Sequence, residues 1–150
     1  MFVFSREIEI EWGDCDPAGI VFYPRYFEMF DAATARLFEA ALGEKKIAWT
    51  KRFGILGIPM VDTRAKFFIP SRYGDHVVIE SQASEIRRSS FDITHRLLKE
   101  GKLAVEGFET RVWTGRKKDD PAKIGSMPIP QEVIAALSVG SSSSSAASRS

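Results

Sequence analysis

One stretch of the chain, residues 26–42, is so apolar that it restricts what can be built around it. Its polar residues Glu28, Arg36 and Glu39 fall with two alanines on one narrow stripe of a helix. The rest of the helix surface carries mainly apolar side chains, among them Phe27, Phe30, Leu37, Phe38 and Ala41. Such a helix needs apolar cover on all sides but one, so we expect a β-sheet wrapped around it. Pro24 suits its start and Gly43 its end.

The sequence on both sides of this helix has the period-two pattern of β-strands. Apolar and polar residues alternate in residues 2–12, and again in 61–69 after a turn and a short helix within 44–56. Further strands are predicted at 76–87, 89–98 and 103–114, with a hairpin turn at 99–102 and a β-bulge at Gly107. The pattern predicts an α+β fold in which five antiparallel strands surround one long central helix.

The C-terminal part of the chain is less regular. Residues 115–130 are predicted to form a loop, and residues 131–137 one or two helical turns. Residues 1–138 would form one domain, whereas the Ser/Ala-rich residues 139–150 cannot bury a face and are predicted to be a disordered tail. The exposed edges of a five-stranded sheet need a partner, so an oligomer is expected.

Composition excludes several classes of function. The 150 residues carry 21 Lys plus Arg against 20 Asp plus Glu, and a net charge of +1 provides no global field for nucleic acid or an anionic membrane. No apolar run approaches the roughly 20 residues of a membrane span. A single cysteine and the lack of an export signal favour the cytoplasm. With only two histidines, far apart in sequence, and one cysteine, a zinc site is not expected.

The strongest local feature is the segment Gly13-Asp14-Cys15-Asp16-Pro17-Ala18-Gly19, which leads to the helix at Pro24. The first helical turn offers unpaired amides and a partial positive charge, which stabilise an oxyanion. A carboxylate across from them could hydrolyse an activated acyl group. Loop composition equally fits Asp14 and Asp16 as turn or cap residues. Cys15, between two carboxylates, is interpreted as a packing residue.

Three other features carry polar groups in unusual places. Asp31 shares a helix stripe with Thr34 and Phe38, so it either pairs with a nearby arginine or backbone group, or lines a pocket and meets a polar substituent. His95 has the apolar parity of its strand and is interpreted as a core or interface residue. The segment Arg87-Arg88-Ser89-Ser90 is either a solvated turn or a phosphate clamp, with Arg116, Lys117, Lys118 or Lys123 as helpers.

The run from Gly13 to Pro24 and the helix after it closely resemble the 4-hydroxybenzoyl-CoA thioesterases of the hotdog-fold superfamily, the branch with a catalytic aspartate in this loop. The resemblance continues through residues 54–61 and 87–91 and covers the chain to about residue 130. It implies a hotdog fold, a homotetramer built as a dimer of dimers, and active sites at subunit interfaces.

The resemblance also implies an activity and roles for individual residues. The expected reaction is hydrolysis of an aromatic acyl-CoA, foremost 4-hydroxybenzoyl-CoA to 4-hydroxybenzoate and CoA, without a cofactor. Asp16 would be the nucleophile or general base, and the backbone N–H of Tyr23 the oxyanion donor. The substrate would be bound by Asp31 at the benzoyl ring, and at coenzyme A by Arg87 and Arg88 with the adjacent Ser89 and Ser90.

Three alternatives belong beside this interpretation. A broad-specificity short-chain acyl-CoA thioesterase would share the loop aspartate, and a non-catalytic acyl-CoA binding module would share the fold. The pair Asp14 and Asp16 could also suggest a magnesium-dependent phosphoryl transferase. That enzyme class needs a parallel sheet with alternating helices, whereas this chain offers one long helix.

Overall fold

A computed structural model describes residues 1–140 and places the long helix against one antiparallel sheet. The predicted α+β class is confirmed. The strands are β1 (Val3–Glu9), β2 (Met60–Phe67), β3 (His76–Ile86), β4 (Ser90–Lys99) and β5 (Lys102–Val112), in the spatial order β1-β3-β4-β5-β2. The hairpin between β4 and β5 turns at Glu100 and Gly101, both with positive φ, as the sequence predicts.

Helix α1 (Pro24–Leu42) has the predicted bounds. Pro24 occupies the first turn, and Gly43 ends the helix with φ of 72°, a left-handed conformation that glycine adopts without strain. Its buried side carries Tyr26, Phe30, Ala33, Thr34, Leu37 and Phe38. The apolar ones among them join two apolar clusters, one around Ile8, Phe30 and Ile79 and one around Phe38, Trp49 and Trp113, so the sheet covers the apolar helix.

Smaller elements complete the described chain. Helix α2 (Lys46–Phe53) and helix α3 (Gln131–Ser138) agree with the predicted short helices. The predicted loop at 115–130 is partly wrong, because β6 (Thr114–Arg116) pairs with β7 (Ile124–Ser126) in a two-stranded sheet. Residues 141–150, most of the predicted tail, lie outside the described residues. No helix within residues 1–140 is long and apolar enough to cross a membrane.

The prediction of a β-bulge at Gly107 is wrong. Gly107 pairs regularly with His95, and the register shift between β4 and β5 lies earlier, where Leu97 pairs with Val105 and Leu98 with Leu103. The glycine instead provides space, since a Cβ atom there would lie 2.5 Å from the ring of Phe30. Helix α1 approaches the sheet closely at this point because β5 has no side chain there.

Strand β2 differs from its prediction in burial. It lies at an edge of the sheet, and its expected apolar face is largely open, with Val61 62% and Phe67 49% exposed. Within the strand Ala65 packs against the core as a partly buried residue, and Ile69 does so just beyond its end. The alternating pattern therefore predicts the strand correctly here, but it does not predict that the apolar face of the strand is buried. The predicted homotetramer stays a prediction.

Candidate active site

Residues 13–23 fold into a small hairpin that ends at helix α1. The amide of Asp16 donates to the carbonyl of Ile20 over 2.9 Å, and the amide of Gly19 donates to the carbonyl of Asp16 over 2.8 Å. The enclosed turn begins with Asp, has Pro second and ends with Gly19 at φ of 85°, and each residue suits its place. The local sequence thus fixes the backbone on both sides of the Asp16 carboxylate.

The Asp16 carboxylate is both a turn residue and a lining residue of a cleft. Its Oδ1 accepts a hydrogen bond from the Ala18 amide over 2.8 Å, whereas its Oδ2 accepts none from residues 1–140. The side chain is half-buried in a cleft of about 400 Å³. The cleft is lined by Trp12, Cys15, Asp16, Pro17, Gly19 and Tyr73. One carboxylate oxygen is therefore available to a molecule in this cleft.

Two aromatic residues form a wall of the cleft that the sequence analysis did not assign. Trp12 and Tyr73 meet edge to face with ring centroids 5.5 Å apart, and both are mostly exposed, Trp12 at 74%. In the sequence, Trp12 is only the last residue of the alternating run 2–12, and it lies beyond β1 in the structure. The sequence signal that could have identified this wall is a tryptophan directly before a polar loop, at Trp12-Gly13.

The start of helix α1 offers one free amide. Contrary to the expectation of several unpaired donors, the amides of Arg25 and Tyr26 donate to the carbonyls of Phe22 and Tyr23 over 2.8 and 3.0 Å. Pro24 has no N–H, and the amide of Tyr23 donates to no acceptor among residues 1–140. Ile20 is hydrogen-bonded to Asp16 across the hairpin, and Tyr23 follows Ile20 by three residues, which span roughly 10 Å at most. The Tyr23 amide therefore belongs to the same hairpin as Asp16.

The neighbours of Asp16 have structural roles. Asp14 caps the preceding turn, because its Oδ2 accepts the Glu11 amide over 2.9 Å. The carbonyl of Asp14 also accepts the Phe22 amide over 2.8 Å, which closes the hairpin. Cys15 is half-buried against an apolar cluster, as expected of a packing residue. Within residues 1–140 no group of three or more His, Cys, Asp or Glu residues could hold a metal ion.

Asp31 pairs with an arginine, one of the two possibilities its sequence position left open. Its Oδ1 accepts a hydrogen bond from Nη2 of Arg111 over 2.7 Å, and its side chain remains 64% exposed. Its Oδ2 accepts no hydrogen bond from residues 1–140. The carboxylate is therefore held from one side and open on the other.

Beneath Asp31 lies a buried polar cluster that the sequence analysis missed, formed by Thr34, Ser81, His95, Glu109 and Arg111. Burial raises the pKa of Glu109, but His95 and Arg111 outweigh that effect and hold this pKa below its ordinary value. Burial lowers the pKa of Arg111, and Glu109 and Asp31 together more than reverse the change. The sequence signal for the cluster is the period-two pattern of β5, which places Glu109 and Arg111 on the same face of the strand as the buried Val105.

The two arginines of the candidate phosphate clamp differ in their surroundings. Arg87 donates to both carboxylate oxygens of Asp92, over 2.6 and 3.2 Å, and its Nε donates to the Ser90 hydroxyl over 2.8 Å. Arg88 is exposed, and its side chain has no hydrogen-bond or ion-pair partner among residues 1–140. The adjacent Ser89 accepts the Trp113 amide through its carbonyl. Arg88 is thus the side chain free to bind an anion.

The structure does not bring all predicted site residues together within one chain. The first residue of β3, His76, pairs with Glu9, and the nearby Gly74 amide donates to Ile10 beside the Asp16 hairpin. Arg87 and Arg88 follow the other end of β3, 11 residues and roughly 36 Å away. Asp16 and Tyr23 share one end of the sheet, and the arginines occupy the opposite end.

The chain belongs to the thioesterase-like superfamily, whose family model matches residues 10–137. This membership agrees with the hairpin carboxylate and free amide described above, and it confirms the predicted enzyme class, a thioester hydrolase of the acyl-CoA type. The hotdog fold is confirmed as well, since solved thioesterase structures superpose on nearly the whole described chain.

Three relatives illustrate the similarity. The 4-hydroxybenzoyl-CoA thioesterase of Pseudomonas sp. (strain CBS-3) is 33% identical over 87% of this chain and 94% of its own length. A mutant of a 4-hydroxybenzoyl-CoA thioesterase, solved with 4-hydroxybenzoyl-CoA, has a TM-score of 0.81 at 29% identity, covering 92% of this chain and 100% of its own. A gentisyl-coenzyme A thioesterase has a TM-score of 0.74 at 30% identity, with coverage of 90% and 99%.

A further relative extends the range of aromatic groups. The 1,4-dihydroxy-2-naphthoyl-CoA hydrolase of Synechococcus elongatus is 30% identical over 59% of this chain and 64% of its own length. All of these enzymes are named after CoA thioesters of hydroxylated aromatic acids.

Proposed function

We propose that this chain hydrolyses the CoA thioester of a hydroxylated aromatic acid, with 4-hydroxybenzoyl-CoA as the preferred substrate and 4-hydroxybenzoate and CoA as products. The relatives support this proposal, because those named above act on hydroxylated aromatic thioesters and the one with 4-hydroxybenzoyl specificity matches along most of both chains. The enzyme would work in the cytoplasm and without a metal or other cofactor.

One observation carries the chemical part of the proposal. A carboxylate with one free oxygen, Asp16, lies in a cleft on the same short hairpin as the Tyr23 amide, which has no acceptor among residues 1–140. Thioester hydrolysis needs a group that attacks or activates water, together with a donor for the developing oxyanion. Asp16 and Tyr23 would supply this pair.

The reaction can follow two routes from the same arrangement. In the first, Asp16 Oδ2 attacks the carbonyl carbon while the Tyr23 amide donates to the carbonyl oxygen. The carbon–sulfur bond then breaks, CoA leaves as a thiolate that takes a proton from solvent, and water hydrolyses the resulting anhydride. In the second route Asp16 takes a proton from water, the hydroxide attacks, and that proton passes to the leaving thiolate.

The remaining residues would hold the two ends of the substrate. The free Oδ2 of Asp31 would accept a hydrogen bond from the ring hydroxyl, and Arg88 would bind the CoA phosphates with help from Arg87, Ser89 and Ser90. Because Asp16 and Arg88 lie at opposite ends of the sheet, one substrate would contact them on different chains. The active sites would then lie between subunits, and the proposed assembly is the homotetramer that the family resemblance implies.

A panel of thioesters tests the proposed function. The purified full chain is given 4-hydroxybenzoyl-CoA, benzoyl-CoA and butyryl-CoA, and free thiol is measured. We expect kcat/KM for 4-hydroxybenzoyl-CoA to exceed that for butyryl-CoA by about a hundredfold, since an aromatic pocket loses much of its contact with a short chain. A preference for butyryl-CoA would favour a short-chain thioesterase, and binding without thiol release would favour a binding module.

A further inference from the structure

The buried polar cluster under helix α1 costs desolvation free energy in a small core. Glu109 is 3% and Arg111 5% exposed, and both charged groups lose most of their hydration there. Replacing such a pair by apolar residues is often neutral or stabilising, so burial of the pair does not explain its presence. A role that depends on the position of Arg111 offers an explanation.

Arg111 is fixed by hydrogen bonds in three directions. Its Nε donates to Glu109 Oε1 over 2.8 Å, and its Nη1 donates to the carbonyl of Ile58 over 3.0 Å. Its third donor, Nη2, reaches out of the core to Asp31 Oδ1 over 2.7 Å. A planar guanidinium with two of its three nitrogens held by buried acceptors can present the third in only one direction.

Glu109 is itself held in place. Thr34 donates its hydroxyl to Glu109 Oε1 over 2.6 Å, and His95 Nε2 lies 3.1 Å from Oε2. His95 contacts the Ser81 hydroxyl through Nδ1 over 2.7 Å. Its ring stacks on Phe30 with centroids 4.8 Å apart and planes within 5°. The cluster therefore ties Arg111 to both the sheet and the helix that carries Asp31.

The outer end of this chain of contacts is the only part that reaches solvent. Asp31 is 64% exposed and keeps Oδ2 free, although Oδ1 is bound by a buried arginine. We propose that Arg111, held by Glu109 and His95, is a positioning residue that orients Asp31 so that its Oδ2 accepts a hydrogen bond from the ring hydroxyl of the acyl group. This inference rests on the proposed function and adds the residue that sets its selectivity.

The test compares two substrates that differ by the hydroxyl alone. Arg111→Lys keeps the charge but loses the planar fork, so it should lower the ratio of kcat/KM for 4-hydroxybenzoyl-CoA to that for benzoyl-CoA by about tenfold. Benzoyl-CoA hydrolysis should change less than about twofold, because no hydroxyl contacts Asp31. In an Asp31→Asn background, Arg111→Lys should not lower the ratio further.

Two more variants complete the design. Glu109→Gln keeps the shape of the side chain that holds Arg111 and should lower the ratio by about threefold. This variant tests the inference if Arg111→Lys does not fold. Arg96→Lys on β4 changes a surface pair with Glu80 on β3 and should leave the ratio unchanged. An equal loss for both substrates, or an unchanged ratio in Arg111→Lys, would overturn the inference. A wild-type chain that hydrolyses no aromatic thioester would instead overturn the proposed function.

Discussion

The two ends of the sheet carry the two halves of the candidate site and differ in how their charged groups are bound. At the hairpin end, Asp16 uses one carboxylate oxygen locally and leaves the other free. At the opposite end, Arg87 has its donors directed to Asp92 and Ser90, whereas Arg88 has no partner among residues 1–140. At each end, the atoms that have no protein partner among residues 1–140 are the ones most available to a ligand.

This difference assigns separate kinetic roles to the two ends. The hairpin end contains the groups that would change bonding, so substitutions there should act on kcat. The arginine end would contact only the nucleotide part of the substrate, so substitutions there should act on KM. Four predictions test the comparison of the two ends, three of them through activity and the last through stability, and the expected effects become smaller from one to the next.

The largest effect is expected at the hairpin end. Asp16→Asn should lower kcat for 4-hydroxybenzoyl-CoA by a hundredfold or more, because an amide neither attacks the carbonyl nor takes a proton from water. The matched control is Asp14→Asn, two residues away, which keeps an oxygen acceptor for the Glu11 amide and should retain kcat within about twofold. Similar losses in both variants would show that the loop, not Asp16, is responsible.

At the opposite end, the two arginines should respond unequally. Arg88→Gln should raise KM for the CoA substrate about tenfold with little change in kcat, since one charge-assisted phosphate contact is lost. Arg87→Gln should raise KM only about twofold, because that guanidinium is paired with Asp92. Neither substitution should affect hydrolysis of the corresponding acyl-pantetheine, which lacks the phosphates. A larger effect from Arg87 would contradict the difference between the ends.

Mixed oligomers test whether the two ends meet across subunits. Chains carrying Asp16→Asn and chains carrying Arg88→Gln are coexpressed with different tags and purified together. In the mixture, half of the intact Asp16 carboxylates would face an intact Arg88 on a neighbouring chain. At low substrate concentration, thiol release per Arg88→Gln chain should therefore be roughly fivefold that of the pure Arg88→Gln protein. Activity that is only the sum of the parents would place both residues on one chain.

The smallest effect concerns acid stability at each end. Hydrogen bonds from Lys99 lower the pKa of Asp75 near the hairpin, and hydrogen bonds from Arg87 lower the pKa of Asp92 at the other end. A carboxylate with a lowered folded-state pKa stabilises the protein above its ordinary pKa of 3.8 and loses that contribution as pH falls through the folded value.

The expected loss below about pH 4 is at most about 1 kcal/mol for each pair, because both are partly solvated. Urea unfolding at pH 7 and pH 3 measures it. Asp92→Asn and Asp75→Asn should each lose less stability between these pH values than the wild type. A steeper loss in either variant would contradict the assigned pairs.

The long helix and the hairpin were predictable because their signals are local. The bounds of helix α1 follow from Pro24, Gly43 and the apolar pattern between them. The turn at Asp16 follows from a dipeptide and a glycine whose backbone preferences need no distant partner. The motif around this turn is also long enough to carry a resemblance, and the family match agrees with it.

The buried polar cluster and the unequal arginines could not be predicted, because they depend on pairings between distant segments. Arg111 and Asp31 are 80 positions apart, and only the fold places β5 under helix α1. Arg87 and Arg88 look equivalent as a dipeptide, but Arg87 alone reaches Asp92 on the next strand. The sequence predicts a β-bulge at Gly107, whereas the actual role of this glycine depends on the ring of Phe30.

The most direct test of the central claim follows binding and bond breakage in one sample. Asp16→Asn is titrated with 4-hydroxybenzoyl-CoA while bound ligand and released thiol are measured together. We expect saturable binding of the intact thioester, with thiol released at less than about one hundredth of the wild-type rate. Thiol release within a few-fold of the wild type would contradict the assignment of Asp16 to the chemical step.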